Sequence, residues 1–166
     1  MITGNIARES QGGGIVVHES AKGRYCRNVV KSNRLAGVGV TDDADPIFTG
    51  NTICDGESGG VVLHGKCFGV FEKNRIVNNA RANVGLKGGA KPLFDSNTIS
   101  GGSGYGVWIQ DSATGTFQVT FEHRESVNAC IFSLDADSPS QCSAEQSYRT
   151  ERVCECGRVG QRMPPF

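Results

Sequence analysis

The sequence predicts an all-β chain wound as a right-handed, single-stranded parallel β-helix with 23-residue coils, and three observations predict it. Glycine stands at Gly14, Gly37, Gly60 and Gly106, with Asn83 at the remaining step, each 23 residues from the last. Asparagine keeps the same step at Asn5, Asn28, Asn51, Asn74 and Asn97, and an apolar or aromatic residue does so at Ile2, Tyr25, Phe48, Phe71, Phe94 and Phe117. No insertion interrupts the run from Gly14 to Gly115. Self-similarity at a fixed period of roughly 20–50 residues marks a solenoid, propeller or repeat array, and the handedness follows from the rule for parallel crossovers.

Each coil is read from its glycine. The next residues are Ile15-Val16-Val17, Val38-Gly39-Val40, Val61-Val62-Leu63, Val84-Gly85-Leu86 and Val107-Trp108-Ile109. Their first and third members are apolar and mostly β-branched, the period-2 pattern of a short strand with one face buried. Small residues at Ala21, Ala44, Cys67, Ala90 and Ala113 mark a tight corner. Gly23 and Gly69 alternate with Pro46 and Pro92 at another bend. A strand carrying the aromatic column follows, then an asparagine at a bend, then a strand closing near Ala7, Val30, Ile53, Ile76 and Ile99. A leucine-rich repeat would need several leucines per unit and a helical half, and neither is present.

Equivalent residues then stack at about 4.8 Å. The aromatic column is expected to be an internal stack, each ring contributing about 1.5–3 kcal/mol by burial. Asparagine suits the bend because it tolerates the left-handed conformation and its amide can hydrogen-bond along the ladder.

The expected organisation is a β-helix over residues 1–134, five regular coils and one degenerate, followed by an irregular cap or disordered tail over 135–166. In the degenerate coil Phe117 holds the aromatic position, Thr120 replaces asparagine and Ala129 to Phe132 take the strand slot. The chain opens inside a repeat, where an uncapped end exposes strand edges, so either a cap or a longer protein is expected. Cys142, Cys154 and Cys156 lack the paired spacing of structural zinc sites.

Charge is balanced, 17 basic against 17 acidic residues, which leaves no electrostatic footprint for nucleic acid or an anionic membrane. No stretch reads as a membrane span or signal peptide. Cys67 and Cys130 occupy inward columns, where free cysteine behaves as a small apolar residue, so the expectation is a reduced protein of the cytoplasm or nucleus without cofactors.

The segments Asp45 to Ile53, Lys73 to Ala80 and Ala90 to Ile99 resemble the parallel β-helix repeats of the carbohydrate-binding and sugar-hydrolase type. They are most similar to those of F-box proteins that carry a long β-helix. The resemblance covers residues 1–134. It implies a β-helix that recognises the protein a ubiquitin ligase will modify, while a separate F-box, which this sequence does not contain, docks onto the ligase. The rival reading is a polysaccharide lyase or glycoside hydrolase of the pectin-lyase-like fold, since one scaffold carries many functions.

The outward columns weigh against that rival. One reads Val16, Gly39, Val62, Gly85, Trp108 and Ile131, without acid, base or nucleophile. The other reads His18, Thr41, His64, Lys87 and Gln110. His18 and His64 lie two rungs apart, about 9.6 Å, too far to share a zinc bound at about 2.0–2.1 Å. Glu19 stacked on Asp42 is the best acidic pair and a weak metal candidate, with Asp43 and Asp45 expected to pair with Lys66 and Lys22 on adjacent rungs. The expectation is therefore a non-enzymatic protein-binding face of Val16, Val62, Trp108 and Ile131, bordered by His64 and Lys87, with Trp108 either an anchor or a cover over Gly85.

Overall fold

The computed structural model describes residues 1–122 and 131–133, with side chains through Val119. The first coil holds β1 (Ile2–Thr3), β2 (Ile6–Arg8) and β3 (Ile15–Val17); the second holds β4 (Arg24–Cys26), β5 (Val29–Lys31) and β6 (Val38–Thr41). The third holds β7 (Ile47–Thr49), β8 (Thr52–Cys54) and β9 (Val61–His64), and the fourth β10 (Val70–Glu72), β11 (Arg75–Val77) and β12 (Val84–Lys87). In the fifth, β13 (Leu93–Ser100) runs through the bend that separates two strands elsewhere, and β14 (Val107–Ile109) follows; β15 (Thr116–Glu122) and β16 (Ile131–Ser133) begin a sixth. All pairings are parallel. Because β13 belongs to two ladders, they join into one ten-stranded sheet, while β3, β6, β9, β12, β14 and β16 form a separate six-stranded sheet.

Alternation decides what is inside. Val38 and Val40, Val61 and Leu63, Val84 and Leu86, and Val107 and Ile109 are buried from the six-stranded sheet, and Val30, Ile53, Ile76 and Ile99 face them from mid-strand. Ala44, Cys67, Ala90 and Ala113 fill the corner. The aromatic column is an internal stack as expected: ring centroids from Tyr25 through Phe48, Phe71 and Phe94 to Phe117 are 4.4, 5.2, 4.6 and 5.2 Å apart, with planes within 11° of parallel. The strand spacing imposes this geometry, since each ring is fixed to its own rung.

The asparagines form a continuous buried ladder. The backbone N–H of Asn28, Asn51 and Asn74 donates to Oδ1 of the next asparagine at 2.9, 2.8 and 2.9 Å, and Nδ2 of Asn51, Asn74 and Asn97 donates to the carbonyl of Tyr25, Phe48 and Phe71. The expected left-handed asparagine is corrected: positive φ falls one residue earlier, at Gly4, Arg27, Gly50, Lys73 and Ser96. Asparagine is needed for its amide, which satisfies backbone groups that the bend takes out of the strand ladder. A second set was missed in the sequence, in which Oδ1 of Asn33 and Asn79 accepts from the backbone N–H of Ser10 and Gly56 at 3.1 Å.

The leading glycines are required by space, not by conformation. None of Gly14, Gly37 and Gly60 has positive φ. A Cβ on Gly14 would lie 2.4 Å from Val30 and on Gly60 2.6 Å from the Asn83 carbonyl oxygen, distances no side chain tolerates.

The sixth coil departs from the predicted register twice. Val119, not Thr120, stands opposite Asn97, because β13 carries the extra residue Ser96 at the bend and β15 does not. Further on Ile131 pairs with Val107 and Phe132 with Trp108, so that step is 24 residues long. Residues 135–166, with Cys142, Cys154 and Cys156, and Cys130 in the sixth coil lie outside the described residues.

Cys67 is fully buried, its Sγ 3.4 Å from the Val40 carbonyl oxygen. Burial pushes its thiol up to about 11, and burial with help from Asp55 does the same for Cys54. Raised folded-state values mean a contribution to stability complete below the ordinary value of 9.0 and lost as pH rises towards about 11. In a thiol-labelling time course at neutral pH, Cys67 is expected to react only after denaturant is added. Prompt labelling of Cys67 in the native protein would place it outside the core.

Candidate functional site

The six-stranded sheet turns its second-member residues outward. Registers align Val16 with Gly39, Gly39 with Val62, Val62 with Gly85 and Gly85 with Trp108, so these five form one strip across five coils. Val16 is 59% exposed, and Val62 and Trp108 are half-buried. Ile131 does not belong to the strip: its register is with the inward Val107, and a one-residue slip exchanges faces. Its place opposite Trp108 is taken by Phe132.

Three members of the polar border share one register. Thr41, His64 and Lys87 are in register at the ends of β6, β9 and β12. His18 Nδ1 faces Glu19 Oε1 at 3.5 Å, and Lys87 Nζ faces Asp111 Oδ2 at 3.6 Å. The pairs Lys22 with Asp45 and Lys66 with Asp43 are not among the ion pairs of the described residues.

Glu19 and Asp42 both have positive φ, 55° in each case, on turns where the chain leaves the sheet. Aspartate tolerates that conformation, and Asp42 Oδ1 accepts from Thr41 Oγ1 at 3.2 Å. The pair thus has a turn-forming role. Among the described residues no group of three or more His, Cys, Asp or Glu side chains converges as a metal site.

Gly85 is buried, in register between Val62 and the half-buried Trp108. A Cβ placed on Gly85 would find only Val62 Cγ2 within 4 Å, at 3.9 Å.

One apolar surface was missed. On the ten-stranded sheet Ile47, Val70 and Leu93 are in register outward, with Phe68 on the turn beside them; Leu93 is 40% and Phe68 45% exposed. An open depression of about 380 Å³ adjoins it, lined by Lys22, Gly23, Arg24, Asp45, Ile47 and Val70. Counting the residue before each aromatic reveals this strip, but it holds no tryptophan, and its first member is Arg24.

A family model described as the right-handed β-helix region matches residues 1–146. The chain belongs to the right-handed β-helix family. Comparison with curated proteins and with solved structures gives no match. Membership in the right-handed β-helix family agrees with the parallel 23-residue coils, and among the described residues no helix is long and apolar enough to cross a membrane.

Proposed function

We propose that the chain is a non-enzymatic protein-binding scaffold, the substrate-recognising β-helix of an F-box type ubiquitin ligase, at work in the cytoplasm or nucleus. The observation that carries the binding reading is the outward strip of Val16, Gly39, Val62, Gly85 and Trp108, in register over five coils. An apolar centre with the polar border of His64 and Lys87 has the anatomy of a protein interface. The strip offers no acid, base or nucleophile, which favours recognition over turnover. The ligase assignment rests on the resemblance of the repeats from Asp45 to Ile99, and the partner it implies is a protein destined for ubiquitination.

Trp108→Ala is expected to leave the thermal melt nearly unchanged, because the ring projects from the coil, while weakening partner capture by about 2 kcal/mol or more. Pull-downs from cell extract with the two proteins, beside a melt of each, check both halves. Equal capture with a lowered melting temperature would make Trp108 a structural residue and sink this face.

A further inference from the structure

The ten-stranded sheet turns Ile47, Val70 and Leu93 outward on three consecutive rungs, with Phe68 on the turn beside Val70. Leu93 is 40% and Phe68 45% exposed, and Ile47 and Val70 are half-buried. The core does not call for them, since Phe48, Phe71 and Phe94 fill it from the same strands. A sheet face open to water ordinarily alternates apolar inside with polar outside, and the same column does so at its two ends, with Arg24 before Ile47 and Thr116 after Leu93.

Charge is graded along this strip. On coils two and three Lys22 and Arg24 stand with Asp45, two cations less one carboxylate, which leaves one positive charge. On coils four and five Lys91 stands with Glu72 and Asp95, one cation less two carboxylates, which leaves one negative charge. None of the six is in an ion pair among the described residues.

We infer that the strip docks an amphipathic α-helix of a partner protein, laid along the solenoid axis with its C-terminal end over Lys22 and Arg24 and its N-terminal end beside Glu72 and Asp95. This surface is separate from the Trp108 strip and goes beyond the reading made there. An amphipathic helix presents apolar residues at i, i+3, i+4 and i+7, which rise by about 4.5, 6.0 and 10.5 Å. The strip offers one residue, then two abreast, then one, at intervals of about 4.8 Å. Leu93 takes residue i, Val70 and Phe68 take i+3 and i+4, and Ile47 takes i+7, with the depression of about 380 Å³ beside Ile47 and Val70 receiving the last turn. An extended strand returns to one face every ~6.7 Å and misses the rungs. A polyproline II helix repeats at about 9.3 Å, reaching Ile47 and Leu93 but passing over Val70 and Phe68. A helix ends in unpaired carbonyls and begins in unpaired N–H groups, carrying about half a charge of either sign. Lys22 and Arg24 supply donors for the first, and Glu72 and Asp95 supply acceptors for the second.

The test is fluorescence anisotropy of the full chain with labelled, end-capped alanine–glutamine peptides of about 14 residues carrying leucine at i, i+3, i+4 and i+7. This spacing is expected to bind at least about ten-fold tighter than the same leucines at alternate positions, or than the helical peptide broken by a central proline. A glutamate pair in the last turn is expected to tighten binding and the same pair in the first turn to weaken it, although the second peptide is the better helix in isolation. Leu93→Glu and Arg24→Glu are each expected to weaken binding by about ten-fold at a nearly unchanged melting temperature, because both side chains are exposed. Failure of the wild-type protein to bind the helical peptide, equal binding of the other spacings, the opposite glutamate preference, or unchanged binding by both variants overturns the inference. Trp108→Ala is expected to bind the peptide as wild type does. Loss of binding in that variant would place the helix on the six-stranded sheet and overturn this inference alone, whereas partner capture indifferent to Trp108 would sink only the other face.

Discussion

Phe71→Ala is expected to lower the stability of the folded chain by about 3–5 kcal/mol, read from the shift of a chemical denaturation midpoint at unchanged slope. Phe71 is fully buried, in the middle of the aromatic column, with Phe48 and Phe94 at 5.2 and 4.6 Å on either side. Truncation removes the ring's transfer free energy and opens a cavity between two rings that cannot close on it. Each neighbour is fixed to its own rung: Phe71 pairs with Phe48 and with Phe94 through β10, and those backbones are held by the ladder. The cost therefore belongs at the upper part of the range for such substitutions. A midpoint change equivalent to less than about 1 kcal/mol would mean that this column is not the core.

The fold was legible because a solenoid repeats its instructions. Phe48, Phe71, Phe94 and Phe117 each face the same surroundings, so a column states its environment several times. Legibility ended where the step changed. The strand slot of the sixth coil was counted at 23 residues, whereas the register runs from Val107 to Ile131, and that single residue moved Ile131 off the proposed face. The bend was placed one residue late because two properties combined in one residue type, left-handed tolerance and a ladder-forming amide, are divided here between neighbours such as Lys73 and Asn74. The strip from Val16 to Trp108 could be read from spacing alone. That Gly39 and Gly85 are free of the crowding at Gly14 and Gly60 could not, since both kinds of glycine recur at regular steps and only the coordinates separate them.

Asn74→Ala is expected to cost about 3–5 kcal/mol through hydrogen bonding alone, although it removes less volume than the loss of a ring. Oδ1 of Asn74 accepts from the backbone N–H of Asn51 at 2.8 Å and from its Nδ2 at 2.9 Å; Nδ2 of Asn74 donates to the Phe48 carbonyl at 2.9 Å and to Asn97 Oδ1 at 3.0 Å. Alanine leaves the Asn51 N–H buried without an acceptor, at about 1–3 kcal/mol, and removes three further bonds at about 0.5–1.5 kcal/mol each. Asn51 Nδ2 keeps the Tyr25 carbonyl and Asn97 Oδ1 keeps the Asn74 N–H, which holds the total within that range. Asn74→Asp separates this account from simple loss of packing. The carboxylate retains the acceptor for Asn51 but turns an anionic oxygen towards the Phe48 carbonyl and Asn97 Oδ1, so burial and repulsion raise its pKa above the unfolded value of about 3.9. A raised folded-state pKa places the recovered stability at low pH and removes it as pH rises through that value. Relative to wild type, the aspartate variant should therefore be markedly less stable at neutral pH than near pH 4, while the alanine variant shows a constant deficit. Parallel denaturation curves at the two pH values decide it, and an aspartate variant with a pH-independent deficit would show that the amide is not the ladder's working group.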